Sequence, residues 1–121
     1  MTIITGKIGS GKTTELVRYA IKNNCTIICQ FEEHIKCMQD LSRRLYGRDV
    51  KAISYSNFFH KGCFRGRKDN TKYVIDNIEC FLMRLMTERG SASSIEGFTC
   101  DGEDIIFKEI INGEYYLKHL V

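Results

Sequence analysis

The amino-acid sequence predicts an α/β fold, a three-layer sandwich in which helices cover a mainly parallel sheet of about five strands. Short apolar, β-branched runs alternate along the chain with segments of helical periodicity, which is the pattern of strands joined by helices. The chain has 121 residues, of which 43% are hydrophobic and 27% are charged. This length and composition predict a single domain with one modest core.

The first half of the chain alternates strands with helices. Each predicted strand is a short run rich in Ile, Val or Thr, whereas each predicted helix carries apolar residues at spacings of three and four, as Met38, Leu41 and Leu45 do. In chain order, we expect a strand at 2–5, a helix at 12–24, a strand at 25–30, a helix at 33–46 and a strand at 50–55.

The second half begins with a loop rich in glycine and basic residues. A strand at 72–76 follows and leads into the clearest amphipathic helix of the chain, which ends at Gly90. Residues 94–100 predict a fifth strand. We expect a core of about residues 1–100 and a C-terminal extension at 101–121.

The tail from Glu103 to Val121 allows two interpretations. It predicts either a hairpin that turns at Asn112–Gly113 or an amphipathic helix that is interrupted there. We favour the hairpin, because Asn-Gly is a typical hairpin turn.

The first predicted strand runs into the segment GKIGSGKT, which fits the pattern G-x-x-x-x-G-K-[ST] from Gly6 to Thr13. A strand before this pattern and a helix after it are the context that a phosphate-binding loop requires. Glycines allow successive backbone N–H groups to converge on phosphate oxygens at the helix N-terminus. We therefore expect the phosphates of a nucleotide to be bound by Gly6, Lys7, Ile8, Gly9, Ser10, Gly11, Lys12, Thr13 and Thr14.

Two side chains of this loop have roles of their own. The ammonium of Lys12 would lie on the β- and γ-phosphates, and the hydroxyl of Thr13 would ligate Mg²⁺. A magnesium-bound triphosphate also needs a carboxylate at the end of a neighbouring strand. Asp76 ends the apolar run in YVIDNIE and is the candidate, although an N-cap for the next helix is a compatible role.

Together, GKIGSGKT and YVIDNIE resemble the P-loop NTPases, and more closely the small additional-strand ATPases of the AAA and RecA-like type encoded by phages and prophages. The resemblance spans about residues 1–100 as an order of elements. It implies a P-loop fold, ATP and Mg²⁺ as ligands, and a further strand between the two motif-bearing strands. It also implies a polar sensor residue after the later motif, for which Thr99 is the candidate.

The chain departs from this family at the catalytic glutamate, which usually follows the second aspartate directly. Asn77 stands there instead, and an amide cannot accept a proton as a base. Glu79 has the right chemistry for a catalytic base, but a carboxylate on the first turn of a helix is also favoured by the helix dipole. Glu32 and Glu33 form an alternative pair that would suit a small-molecule kinase.

The loop at 60–70 carries Arg65 and Arg67 between glycines. It could act as a lid, supply an arginine to a neighbouring subunit, or contact DNA or RNA, with Phe58, Phe59 and Phe64 nearby for base stacking. A solvated loop with these phenylalanines partly in the core is the alternative. A homo-oligomer or a larger protein partner would fit the second of these roles.

The sequence also predicts the compartment. We expect a cytoplasmic protein, because no apolar run approaches the ~20 residues of a membrane helix and no charged leader precedes a hydrophobic region. Six cysteines without a C-x-x-C pair are typical of reduced thiols in a core. The H-x-x-C pairs His34/Cys37 and His60/Cys63 could in principle assemble a zinc site, but we favour packing.

Three functions follow from these residues. The first is a Mg²⁺-dependent ATPase that acts alone or with DNA, with Lys12 and Glu79 as its catalytic residues. The second is a nucleotide-binding regulatory protein without turnover, and the third is a small-molecule kinase. We rank the ATPase first, and the absence of an N-K-x-D guanine motif favours ATP.

Overall fold

The computed structural model describes residues 2–60, 71–88, 99 and 106–118, and in them the chain adopts an α/β arrangement with small parallel sheets. These residues form six strands and four helices. In chain order they are β1 (Thr2–Gly6), α1 (Lys12–Asn23), β2 (Cys25–Cys29), α2 (Glu32–Tyr46), β3 (Ala52–Ser54), α3 (Tyr55–His60), β4 (Lys72–Ile75), α4 (Ile78–Glu88), β5 (Ile106–Ile111) and β6 (Glu114–Lys118).

The described strands form two sheets of three strands each. In the first, β2 lies between β3 and β4 and is parallel to both. In the second, β5 lies between β1, to which it is parallel, and β6, to which it is antiparallel. The strands β1 and β4 therefore belong to different sheets in the part of the chain that is described.

The core is centred on β2. Parallel strands that are covered on both faces require continuous apolar runs, and CTIIC at 25–29 is such a run. Helices α1 and α2 pack on this strand and bury their apolar faces against it. The buried cluster consists of Val17, Ala20, Cys25, Ile27, Cys29, Met38 and Val50.

The structure confirms most of the predicted elements to within one or two residues. The strand predicted at 50–55 is shorter, however, because the chain turns into helix α3 at Tyr55 where a loop was expected. The C-terminal hairpin is confirmed, with its turn at Asn112–Gly113. The strand predicted at 94–100 lies outside the described residues except for Thr99.

The predicted C-terminal extension pairs with β1, the strand that precedes the candidate phosphate-binding loop. Strand β5 runs along β1 in parallel, with Ile110 beside Gly6, and Ile110 is 2% exposed. An order of elements cannot show this pairing, because β1 and β5 are separated by nearly the whole chain. Among the described residues, no helix combines the length and apolar character needed to cross a membrane.

Two of the three phenylalanines that the sequence offers for base stacking are packed within the protein, and the third, Phe64, lies outside the described residues. Phe58 and Phe59 lie half-buried on α3, and Phe59 stacks on Phe81 of α4 with ring centroids 5.3 Å apart. Phe58 makes an edge contact with Tyr73 of β4 at 5.4 Å. These rings join α3 to β4 and α4, so packing is the role that the structure supports for them.

Candidate phosphate-binding site

The loop between β1 and α1 forms a tight turn that is closed by a backbone hydrogen bond. Gly9 and Gly11 have φ angles of 80° and 103°, a region that favours glycine. The Ser10 N–H donates to the Lys7 carbonyl at 3.1 Å, and the Glu15 N–H donates to the Gly11 carbonyl at 3.1 Å to begin the helix. No side chain caps the first turn of α1. Its first N–H groups therefore depend on water or a ligand for acceptors.

The loop packs closely on the end of β1. A Cβ atom added to Gly6 would lie 2.4 Å from Ser10 Oγ and 2.7 Å from the carbonyl oxygen of Ile110, so only glycine fits there. Ser10 Oγ is itself buried and has no hydrogen-bond partner among the described residues. A buried hydroxyl without a partner is costly, and a ligand or water oxygen would remove that cost.

Lys12 begins α1 and is half-buried. Its ammonium folds back over the loop and donates a hydrogen bond to the Gly6 carbonyl. The positive charge is thus held above the same backbone turn whose N–H groups could face an anion.

A pocket of about 420 Å³ opens above this loop. It is lined by Ile8, Gly9, Gly11, Lys12, Thr13, Thr14 and Asn77. All of these residues except Asn77 belong to the predicted phosphate-binding segment Gly6–Thr14. The structure therefore brings the loop together with the turn that follows β4.

The turn after β4 carries Asp76, which lies outside the pocket lining, and Asn77, which is part of it. The Asp76 N–H donates to the Ile28 carbonyl of β2 at 2.9 Å, and Asn77 then reverses the chain with a φ of 56°. The buried Tyr55 hydroxyl donates to the Asp76 carbonyl and lies 3.0 Å from the Asn77 carbonyl. Helix α4 begins where the Phe81 N–H donates to the Asn77 carbonyl at 3.1 Å.

Burial is the main cause of the pKa shifts of Asp76, Cys29 and Tyr55 in this crevice. Burial raises the pKa of the Asp76 carboxyl above its ordinary value, and the positive charges of His34 and Lys12 partly offset that rise. Burial, aided by the charges of Asp76 and Glu32, raises the pKa of Cys29 to about 11. It also raises the pKa of Tyr55, so that its hydroxyl remains a donor.

The other predicted site residues lie outside the pocket lining. Gly6 and Ser10 are in close contact with each other at the end of β1, and Lys7 is exposed. Glu79 is exposed on the first turn of α4. The exposed Glu32 accepts a hydrogen bond from Asn57 at 3.0 Å, and Thr99 is exposed.

The described residues do not support the alternative zinc site. His34 and Cys37 lie one turn apart on α2, and no group of three or more His, Cys, Asp or Glu able to hold a metal occurs in the described part of the chain. Cys63 lies outside the described residues. The His34 ring packs edge-on against Phe31, with centroids 5.3 Å apart.

Sequence reasoning missed two contributions to the site. Nothing in the sequence marks Tyr55 as the residue that holds the Asp76–Asn77 turn, because a tyrosine that closes a strand is common. The Asn112–Gly113 pair indicates a turn but does not indicate that the turn contacts the candidate phosphate-binding loop.

Comparisons of the chain with models of known families, with curated proteins and with solved structures find no match.

Proposed function

We propose that the chain binds ATP as its magnesium complex in the pocket above the loop Gly6–Thr14. The observation that carries this proposal is the pocket lining, which joins six of the predicted phosphate-binding residues to Asn77 in the turn that follows β4. An uncapped helix N-terminus, a lysine above it and an unpartnered Ser10 hydroxyl all favour an anion with several oxygens.

The fold in this proposal is the P-loop sandwich with a mainly parallel sheet of about five strands. Both motifs follow the carboxyl ends of parallel strands, β1 and β4, which is where open α/β sheets bind ligands. In the described residues these strands belong to different sheets, and no described strand lies between them, so the additional strand that the resemblance implies stays a prediction.

The magnesium ion would be held by the Thr13 hydroxyl and Asp76. The donor set fits this metal, since Mg²⁺ is commonly bound by one or two carboxylates, substrate phosphates and water. The ion would neutralise phosphate charge when bound. The protein's own part is to place Lys12 and the backbone N–H groups on the same phosphates.

The role of Asp76 is tested by magnesium dependence. We expect wild-type protein to bind ATP at least tenfold more tightly with Mg²⁺ than with EDTA, and Asp76→Asn to lose most of that difference. Glu33→Gln is a control that removes an exposed carboxylate from another helix. An Asp76→Asn protein with an unchanged magnesium effect would contradict the assignment of this carboxylate.

Hydrolysis of ATP is the second part of the proposal, with Glu79 as general base. Asn77 lines the pocket while Glu79 is exposed, so turnover would require Glu79 to act through water or after a movement of α4. Binding without turnover, as in a regulatory protein, is the competing function that the position of Asn77 favours.

One assay separates these functions. Phosphate release is measured for the wild type, Lys12→Ala and Glu79→Gln, with and without DNA, and with Mg²⁺ throughout. An ATPase predicts wild-type release above the Lys12→Ala background and a loss of at least tenfold in Glu79→Gln. Tight binding with no release above background under every condition would leave the non-hydrolysing function.

The proposed partners beyond ATP follow from the loop 60–70. Its arginines and lysines would suit DNA, RNA or a second subunit, and the DNA arm of the assay tests the first of these. The kinase function would instead require phosphate transfer to an acceptor and a dependence on Glu32 or Glu33. The phage-type, cytoplasmic ATPase is the form of the proposal that the sequence resemblance favours.

A further inference from the structure

The turn at the tip of the β5–β6 hairpin contacts the phosphate loop directly. The Gly113 N–H donates to the Ser10 carbonyl at 2.8 Å. A Cβ atom added to Gly11 would lie 3.3 Å from the Gly113 Cα atom and 3.7 Å from Cγ2 of Ile110. The two loops therefore touch through backbone at a place where neither has a side chain.

This contact determines which way the Ser10–Gly11 peptide faces. In a trans peptide the carbonyl and the N–H point in opposite directions, and the chain has no cis peptide among its described residues. With the Ser10 carbonyl directed to the hairpin, the Gly11 N–H points away from it. Gly11 lines the pocket, whereas no described hairpin residue does.

The hairpin is fixed to the protein on both sides of the loop. Before the loop, β5 pairs with β1 and places Ile110 beside Gly6. Helix α1, which follows the loop, is contacted by Lys108 of β5. The Lys108 Nζ atom lies 3.3 Å from Glu15 Oε1 and 5.5 Å from the centre of the Tyr19 ring. The tip is thus held at a constant position relative to the strand and the helix that the loop connects.

We propose that the Asn112–Gly113 turn is a positioning element of the phosphate loop, which aims the Gly11 N–H at the bound phosphates. This inference rests on the proposed function for its ligand. The tip of the turn is exposed. A molecule that binds the hairpin would therefore change the affinity of the loop for nucleotide. By linkage, a bound nucleotide must strengthen the contact as much as the contact strengthens binding.

The contact can be deleted as a single atom group. A synthetic peptide of residues 100–121, which begins with Cys100, is ligated to a thioester of residues 1–99. Glycolic acid replaces Gly113 in one product, so that an ester oxygen stands where the N–H was, and the all-amide product is the matched control. Both products are titrated with Mg-ATP and with inorganic tripolyphosphate, and the amide chemical shift of Gly11 is recorded in each.

We expect the ester product to bind both ligands about tenfold more weakly, with a displaced Gly11 amide resonance and a circular-dichroism spectrum like that of the control. Equal affinity and an unchanged Gly11 resonance would overturn the inference and leave the proposed function intact. If the all-amide product binds neither ligand, the proposed function fails and the inference fails with it.

A recombinant pair keeps the test decisive if the ester product does not fold. Gly113 has a φ of 82° and open space around it, so a substitution there acts through backbone conformation. Asparagine tolerates this conformation and valine does not. We expect Gly113→Asn to bind ATP within threefold of the wild type and Gly113→Val to lose at least tenfold. Equal binding by a folded Gly113→Val protein would overturn the inference.

Discussion

At the scale of single residues, Tyr55 ties the end of β3 to the turn that carries Asp76. The residue is 2% exposed, and its hydroxyl is directed at the carbonyl groups of Asp76 and Asn77. We expect Tyr55→Phe to lower the free energy of unfolding by about 1–2 kcal/mol, because the Asp76 and Asn77 carbonyls lose the donor that the buried Tyr55 hydroxyl supplies. Denaturant titration measures this cost. Tyr46→Phe, at an exposed tyrosine, is the control and should change stability by less than about 0.5 kcal/mol.

The same substitution should also weaken binding of Mg-ATP, because the turn that positions Asp76 loses its support. A Tyr55→Phe protein with wild-type stability and affinity would show that backbone hydrogen bonds alone hold this turn.

The buried carboxyl of Asp76 makes binding and stability respond to pH in opposite ways. Its pKa is raised in the folded protein, so the folded state binds more protons between the ordinary pKa and the raised one, and stability falls as pH rises through that interval. Binding of Mg²⁺ needs the carboxylate and should weaken as pH falls through the raised value. Magnesium affinity measured from pH 7 to pH 4 should therefore decline earlier than for an ordinary aspartate.

Replacing Asp76 should separate the two effects. Asp76→Asn removes the desolvated charge, and we expect it to raise the free energy of unfolding at pH 7 by about 0.5 kcal/mol while removing the magnesium effect. A variant that is clearly less stable than the wild type at pH 7 would contradict this account of the carboxyl.

At the scale of elements, β5 and α1 are joined by a buried ion pair. Glu15 is 8% exposed and accepts hydrogen bonds from Arg18 and from Lys108 of β5. The Arg18 hydrogen bond is the main cause that lowers the pKa of Glu15, with Lys108 adding to it against the effect of burial. A lowered pKa contributes stability above the ordinary pKa, and this contribution is lost as pH falls through the lowered value.

We expect Glu15→Gln to cost about 2 kcal/mol of unfolding free energy at pH 7, because both cations lose their charged acceptor. The cost should shrink below the ordinary pKa of 4.5, because the carboxyl of the unfolded wild-type chain takes up a proton there, and it should shrink further as pH falls through the lowered pKa of the folded protein. Denaturant titrations at pH 7 and pH 3.5 measure both values. An equal cost at the two pH values would show that packing, and not charge, is what Glu15 supplies.

The elements differ in how far the sequence determines them. Helix α2 was predictable because its apolar spacing is regular and Gly47 ends it with a φ of 72°. Helix α3 was not, because six residues carry too short a period to distinguish a helix from a loop. The aromatic rings that cover α3 come from β4 and α4, so its stability depends on tertiary contacts that the local sequence does not contain.

At the scale of the whole molecule, the first strand, β1, and the last two described strands, β5 and β6, form one sheet. Local spacing predicted the loop, Lys12 and Asp76, because these follow strands directly. It could not predict that β5 pairs with β1 or that Gly113 touches the loop, because those contacts join positions about a hundred residues apart in sequence. The proposed phosphate-binding loop is therefore a local motif that contacts a segment distant in sequence.

Removal of that segment tests the whole-molecule account. A chain that ends after residue 105 loses β5, the only described partner of β1, and with it the buried Ile110. We expect this chain to lose cooperative thermal unfolding and ATP binding, whereas a chain that ends after residue 118 should keep both. A chain ending at 105 that melts cooperatively and binds ATP would contradict the account.

The most direct test of the central claim is a calorimetric titration of the wild type, Lys12→Ala and Lys22→Ala with Mg-ATP. Lys22 lies exposed near the other end of α1, so its substitution removes the same charge from the same helix. We expect saturable binding by the wild type and Lys22→Ala, and a loss of at least a hundredfold in Lys12→Ala, since in the proposed function the Lys12 ammonium would contact the phosphates directly. Equal affinity in Lys12→Ala and Lys22→Ala, or no binding by the wild type, would contradict the claim that this loop binds the phosphates of ATP.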